Sequence, residues 1–483
     1  MAHDLLLNEP RQRAPSRAKA HPPKVPEAAP VLAGQCGAAT DDSSAASERQ
    51  LRVLVVSHSH PKISKGGAEI AAFQLFQSLT KLRDCEAWFL GCQRGGAAER
   101  VGTVFTQPFS AREYLYAASD FDWFKFANRD SRFPAQFVEL LATLRPDVVH
   151  FHHFAQLGME CFRHVRRALP NTAIVLTLHE FLAICNHYGQ MVTKGHESLC
   201  DEASPLRCHA CFPEIDPSDF FLRRKYAESF FADVDEFVSP SHFLANRFVA
   251  WGLPAARTTV IENVIAHPLA RTPARVEPYG GPLRVGFFGQ VSRLKGIDVL
   301  FDAAALLAQE DSNDVVFDVH GDYRNQPPEY REAFLKRLAG VGHTVRYRGP
   351  YDLHRVDALM QQTDVTIIPS IWWENSPVVI QEAFRNRRPV VCSDIGGMAE
   401  KVRDGLDGWH FQAGSAWSLA DLLKRLAAHR ELVEAVMTTM QRPPEAEAIV
   451  AAHMELYRRL VARRASGGQA PAPDEMAAQS MTR

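Results

Sequence analysis

No stretch of the 483 residues comes near the ~20 consecutive apolar residues that a helix needs to cross a bilayer, so no membrane span is expected. No charge of one sign dominates either: 54 Lys and Arg stand against 56 Asp and Glu, for a formal net charge of -2. That balance gives no electrostatic reason to expect nucleic acid as a partner, although it leaves room for a local basic patch. Leu5-Leu6-Leu7 is too short for the apolar core of a signal peptide, and Glu9 interrupts it. Export is therefore not expected, and a cytoplasmic location is. Cysteines are few, nine in all, and scattered except for one group. In a cytosolic chain they are expected as thiols or metal ligands rather than disulfides.

What remains has the make-up of a globular protein, with 46% hydrophobic and 23% charged residues. The length exceeds one ordinary core and predicts two domains. Residues 1–50 are rich first in Pro, Ala and Arg and then in small polar residues, without apolar period. Such a segment cannot bury enough surface to offset its ordering entropy, so it is expected to be disordered, as is the tail 466–483.

From Leu51 onward short β-rich runs alternate with helical stretches. "LRVLVVSH" is continuous, apolar and β-branched, the pattern of a strand buried on both faces. "GGAEIAAFQLFQSLTKL" follows with Ile70, Phe73, Leu75 or Phe76, and Leu79 at helical spacing. "DVVHFHH", "AIVLTLHE" and "EFVSPS" continue the rhythm to about residue 265. Residues 266–282, rich in Pro and Gly, read as a linker. The rhythm restarts over 283–442 with "LRVGFFG", "DVVFDVHGD", "TVRYRGP", "DVTIIPS" and "PVVCSD" as strands. A last helix over 443–465, after Pro443-Pro444, has the option of crossing back to the first domain. This βα alternation predicts two doubly wound, Rossmann-like parallel sheets facing an interdomain cleft. In open α/β sheets ligands bind outside the carboxyl ends of the strands. Ser57-His58, His150 to His153, His179-Glu180, Gly321-Asp322, Ser370 and Ser393-Asp394 all stand at such ends.

Several of these loops carry groups suited to a phosphate or a sugar. Gly66-Gly67 opens the first helix; taken alone it reads as a flexible turn, and otherwise as a place where an anion approaches the backbone. "GQVSRLKG" puts Arg293 and Lys295 beside a helix start, which suits a diphosphate or a solvated basic loop. In "IIPSIWWENSPVVIQEA", Ser376 is expected as an N-cap and Pro377 as the first helical residue, so that a helix N-terminus points at the cleft. Glu374 lies just outside that helix and Glu382 inside it. Either one opposes a dipole or sits on the surface, or each accepts hydrogen bonds from vicinal hydroxyls. Trp372 and Trp373 are adjacent on an extended segment and point to opposite sides. One is expected to pack beneath the loop, the other to wall a sugar pocket or brace Glu374.

With Glu374 and Glu382 in an E-x7-E pattern, preceded by Pro-Ser and followed by "RPVVCSDIGGMAEKVRDGLDGWHF", and with "GQVSRLKGIDVL", "HGD" and "GGAE" in order, the chain resembles the family 4 glycosyltransferases of the GT-B fold. The resemblance covers roughly residues 51–463 and is densest over 284–411. It implies retaining transfer of a sugar from a nucleotide-sugar to an acceptor hydroxyl on a glycan, a lipid-linked carrier or a small molecule, with no cofactor required for catalysis. It implies that Glu382 holds the ribose hydroxyls, and that Glu374 and His179 lie near the donor sugar as catalytic residues. It places Lys295, Gly66, Gly67, Ser376 and Asn263 at the donor. The family usually has Arg where this chain has Gln290; Gln290 stays in the donor-binding set with Arg293 as deputy. Two further departures are Glu374-Asn375-Ser376 in place of Glu-Phe-Gly, and Glu180 where Asp is common after the histidine.

Residues 185–215 form a cysteine-rich insert that resembles one in some bacterial members of the family. Its Cys208 and Cys211 are a C-x2-C pair, and Cys185 and Cys200 make four. They are candidates for a structural zinc site, with His187, His196 and His209 as spare ligands, or for unligated or redox-active thiols. Two alternatives to a transferase stand: a GT-B nucleotide-sugar epimerase, or a carbohydrate-binding scaffold whose site has decayed. A phosphorylase needs a pyridoxal-phosphate lysine, and no convincing one is found. The aromatic, basic segments "FLRRKYAESFF" and "YLYAASDFDWFKFANR" either pack a core or lie on the inner membrane face near a lipid-linked acceptor; packing is the preferred reading.

Overall fold

The computed structural model describes residues 49–64, 66–94, 102–195, 197–265, 280–309 and 314–467. All but two residues of each expected disordered tail, most of the expected linker and His196 lie outside the described residues.

The β-branched runs form strands buried on both faces. The first half of the chain supplies β1 (Leu51–Val56), β2 (Cys85–Arg94), β3 (Phe105–Ser110), β4 (Glu113–Ala118), β5 (Phe121–Asp122), β6 (Ala127–Asn128), β7 (Val148–Phe151), β8 (Ala173–Thr177), β9 (Glu236–Ser239) and β10 (Thr258–Val260). Eight of these make one sheet in the order β10-β9-β8-β7-β1-β2-β4-β3, parallel except for the β3–β4 pair. The second half supplies β11 (Leu283–Phe288), β12 (Val315–His320), β13 (Val345–Gly349), β14 (Val365–Ile368), β15 (Val390–Ser393) and β16 (Gly408–Phe411). These form an all-parallel sheet in the order β13-β12-β11-β14-β15-β16. The two doubly wound sheets are those of the GT-B fold.

Helices cover both faces of each sheet. In the first half they are α1 (Gly67–Leu79), α2 (Phe133–Leu144), α3 (Glu160–Ala168), α4 (Pro205–Cys211), α5 (Pro217–Phe231) and α6 (His242–Trp251). In the second they are α7 (Ile297–Gln309), α8 (Pro328–Val341), α9 (Val356–Met360), α10 (Val378–Arg385), α11 (Gly396–Lys401), α12 (Ala416–Ala428) and α13 (Arg430–Thr439). The closing helix α14 (Ala446–Ala465) packs Ile449, Val450, Met454, Tyr457 and Leu460 into one core with Val53 and Val55 of β1 and Leu75 of α1.

Strand order fixes where a site can form. The chain leaves β1 for one side of the first sheet and returns to the other side at β7, opening a crevice between their carboxyl ends. The second sheet reverses in the same way between β11 and β14. Ligands bind at such switch points. There the loop after β11, with Gln290 to Lys295, faces the loop after β14, with Ser370 to Glu374.

Candidate active site

Glu374 is the centre of the second sheet's crevice. Its Oε1 accepts hydrogen bonds from Lys295 Nζ at 2.6 Å, Ser370 Oγ at 2.8 Å and Trp372 Nε1 at 2.8 Å. Burial alone would raise this carboxyl. The Lys295 ammonium and the three hydrogen bonds outweigh burial and hold it below the usual carboxylate range. Trp372 thus braces Glu374. Trp373 points the other way: its ring lies 5.3 Å from that of Phe243 and under the Arg247 guanidinium, and its Nε1 donates to the Cys200 carbonyl at 3.2 Å.

Two glycines let this loop lie where it does. Gly296 has φ +73°, and a Cβ there would stand 1.7 Å from the Pro369 carbonyl oxygen. A Cβ on Gly397 would stand 1.8 Å from the Asn375 oxygen, and the Gly397 N–H donates to the Glu374 carbonyl at 2.6 Å. Side chains at either position would push the loop, and Glu374 with it, out of place.

Glu382 is buried in α10, and burial pushes its carboxyl up to about 7. Ser376 is not the N-cap expected from its position. α10 begins at Val378 behind the extended Pro377, and Ser376 Oγ instead donates to Glu262 Oε1 at 2.8 Å. A partner 114 residues away outcompetes the local cap. Gln290 and Arg293 are exposed, and Arg293 Nε pairs with Glu197 in the cysteine-rich insert at 2.8 Å.

The first sheet's crevice is lined by histidines. Gly66 is the N-cap of α1 with extended backbone and no side-chain cap hydrogen bond. A Cβ on Gly67 would meet nothing within 4 Å. His179 follows β8, its Nε2 3.0 Å from His152 Nδ1; burial, with His153 and His58 adding to it, takes its ring down to about 3. His58 Nε2 lies 3.2 Å from Glu69 Oε1, and His153 Nε2 lies 3.2 Å from Glu180 Oε1. His150 nitrogens lie 2.6 Å from Tyr457 Oη and 2.6 Å from Thr177 Oγ1, tying α14 to the end of β7.

The two crevices are held mouth to mouth by contacts that local sequence patterns do not signal. Asn375 Nδ2 donates to the His179 carbonyl at 2.9 Å, and Gln381 Nε2 to the Asn263 carbonyl at 3.4 Å. Glu262 takes Ser376 on one oxygen and Lys401 on the other, while Lys401 also donates to the Pro240 carbonyl at 2.7 Å. The Glu400 carboxylate accepts from the backbone N–H groups of His242 and Phe243, capping α6 from the other half of the molecule. Glu262 sits directly before Asn263 and Lys401 ends "GGMAEK"; neither motif hints at its partner.

Cys185, Cys200, Cys208 and Cys211 line one small pocket with His187, and none of them is paired in a disulfide. Among the described residues no three His, Cys, Asp or Glu side chains are grouped so as to hold a metal ion. The segment "FLRRKYAESFF" lies in α5, which buries Phe220, Arg223, Phe230 and Phe231 and leaves Phe221 and Leu222 exposed. No helix among the described residues is long and apolar enough to cross a membrane.

Two family models match. One, described as glycosyltransferase family 4, covers residues 65–267, and the other, glycosyl transferases group 1, covers residues 271–439. Among curated proteins the chain is similar to the D-inositol 3-phosphate glycosyltransferases of Corynebacterium aurimucosum and Corynebacterium urealyticum. The first is 32% identical over 29% of this chain and 34% of the relative; the second is 28% identical over 58% and 63%. The chain therefore spans about a third of the length of the first curated relatives it matches. Among solved structures, Anabaena Alr3699/HepE in complex with UDP superposes with TM-score 0.56 at 16% identity, over 86% of this chain and 100% of that one. Sucrose-phosphate synthase from Thermosynechococcus elongatus superposes with TM-score 0.59 at 18% identity, over 86% and 100%. At such identities the likeness is one of fold.

Proposed function

The chain belongs to the family 4 glycosyltransferases of the GT-B fold, and on that footing we propose that it moves a sugar from a nucleotide-sugar to an acceptor hydroxyl with retention of anomeric configuration. The observation that carries the reading is the Glu374 carboxylate, buried yet kept ionised by Lys295, Ser370 and Trp372 at the mouth of the second sheet. A charge held there against burial suits a reaction in which a sugar carbon becomes positive as it leaves its phosphate.

In this reading Lys295 lies between the carboxylate and the diphosphate, with donors left for phosphate oxygens. The uncapped start of α1 at Gly66-Gly67 supplies N–H groups to the same anion. Glu382 accepts the ribose hydroxyls, His179 lies at the donor sugar, and Asn263, Gln290, Arg293 and Ser376 border the donor. The leaving diphosphate takes the acceptor proton, and a divalent ion is not required. HepE is described in complex with UDP and UDP-glucose, which puts uridine nucleotides first among donors to try. A glycan or lipid-linked acceptor and a cytoplasmic site of action belong to the same proposal.

Nucleotide-sugar hydrolysis and transfer with EDTA present test it. Glu374→Gln keeps size and removes charge, so it is expected to lower kcat at least a hundredfold, on the scale of losing an electrostatic stabiliser, with nucleotide affinity near normal. Full turnover by that variant would reduce Glu374 to a helix-end charge. The four cysteines stand as a proposed structural zinc site, with His187 and His209 as spare ligands. About one equivalent of zinc retained through dialysis supports that; a stable, active, metal-free protein overturns it.

A further inference from the structure

The cysteine-rich insert reaches the loop that carries Glu374. Its stretches 191–195 and 197–200 run back along each other as a hairpin. Val192 bridges to Leu199, the Cys200 N–H donates to the Met191 carbonyl at 2.8 Å, and the Thr193 N–H donates to the Ser198 carbonyl at 2.8 Å. Met191 and Val192 are buried, so the hairpin has a fixed base. It meets the second half of the molecule at two points. Trp373 Nε1 donates to the Cys200 carbonyl, and Glu197 pairs with Arg293. One hairpin therefore touches both loops of the second sheet's crevice, the loop after β11 and the loop after β14.

The two contacts are unequal. The Arg293 and Glu197 side chains are 62% and 37% exposed, and ion pairs so open to water contribute little. Trp373 instead packs against the aromatic core of the first half, beside Cys185, Cys200 and Phe243. Among the described residues it is the only one from the second half to do so. Arg247 fastens it: the guanidinium lies 4.8 Å over the Trp373 ring while Nη1 donates to the Asp201 carbonyl at 2.7 Å. A ring held between an aromatic neighbour and a cation resists displacement.

Trp373 in turn limits where Glu374 sits. It stands between Trp372 and Glu374, and the Glu374 N–H closes the turn onto the Trp372 carbonyl at 3.0 Å. Holding the Trp373 ring on one side of this short segment holds, on the other, the indole that donates to Glu374. Glu374 Oε1 needs three donors within hydrogen-bond reach, and a backbone shift of about 1 Å breaks such an arrangement.

We propose that Trp373 is a positioning residue, and that the cysteine-rich insert, by holding it, sets the placement of Glu374 from across the cleft. The inference rests on the glycosyltransferase reading and gives the insert a task within it.

Donor hydrolysis and transfer are measured for Trp373→Ala, Trp373→Phe and Arg247→Met in the full chain, each alone and combined with Glu374→Gln. Trp373→Ala is expected to lower kcat about tenfold or more, the scale on which a misplaced reacting group costs turnover, with nucleotide affinity within about threefold of wild type. Trp373→Phe keeps the ring and lacks only the N–H, so it recovers most of the loss and stays about threefold down, the scale of one hydrogen bond. Arg247→Met removes the guanidinium from ring and insert alike; it lowers kcat by itself and adds nothing to Trp373→Ala. In the Glu374→Gln background none of the three lowers kcat further, because Trp373 acts through Glu374. If Trp373→Ala does not fold, Trp373→Phe and Arg247→Met carry the test. Wild-type kcat in the folded variants, losses that multiply with that of Glu374→Gln, or a loss confined to Tm overturns the proposal. Wild type that turns over no nucleotide-sugar brings down the transferase reading, and this inference with it.

Discussion

Burial places the Glu382 carboxyl at about 7, so its proton is gained and lost in the range where the enzyme is expected to work. The sign follows from linkage. The unfolded chain releases this proton near 4.5 and the folded chain near 7, so between those values the folded chain holds a proton that the unfolded one does not. This group's contribution to stability is full below about 4.5 and is lost as pH rises through 7. Ribose hydroxyls donate to the ionised form, so nucleotide binding should tighten as pH rises, by about tenfold between pH 6 and 8. Glu382→Gln should remove the pH dependence. Flat affinity by calorimetry over that range, in wild type, would detach Glu382 from the ribose. Glu374, Glu382 and Lys295 were legible in the sequence because a strand end and a helix start are local patterns. The environment of each was not. That Lys295 spends a donor on Glu374, and that Arg293 turns to Glu197, depends on which loops the strand order brings together.

At the scale of elements, long apolar runs such as β1 and β11 announced themselves because both faces are buried. β3, with half its residues exposed, and the two-residue β5 and β6 carry too little pattern to be read. β2 went unread although it lies deep in the sheet: Glu86, Gly91 and Gln93 break its run of apolar residues. Ser376 shows the other failure, a plausible local cap overridden by a distant carboxylate. Two glycines at helix starts, Gly397 of α11 and Gly67 of α1, offer a paired prediction. Gly397→Ala forces a methyl group against the Asn375 oxygen and should cost about 1–3 kcal/mol, as overpacking does, with a lower Tm and a fall in kcat. Gly67→Ala meets open space and should leave Tm unchanged while weakening donor binding, because the methyl occupies the ligand's approach. Equal thermal losses in both would mean that Gly67 serves the fold rather than the ligand.

Beside Trp373, which packs on Phe243 and Arg247, polar groups clasp the two halves together. Glu400 and Lys401, neighbours on α11, reach the start of α6, the Pro240 carbonyl and Glu262 in the other half. The double variant Glu400→Ala/Lys401→Ala should keep both cores and Tm within a few degrees, yet open the cleft. Small-angle scattering should show a more extended particle, and donor KM should rise several-fold. Superimposable scattering curves would show that closure is set elsewhere. None of these partners is close in sequence, so the two sheets could be foreseen but not the clasp between them.

The hydrogen bond between His150 and Tyr457 joins residues 307 positions apart. It has a bearing on how the protein is made. A ribosome delivers β1 long before α14, so the first sheet lacks one of its covering helices until the second sheet has been synthesised. The second sheet needs no such late arrival and is free to form while the first still waits. Of the two sheets, the one that emerges earlier is therefore finished later, and its uncovered α1 face must stay soluble while the second is made.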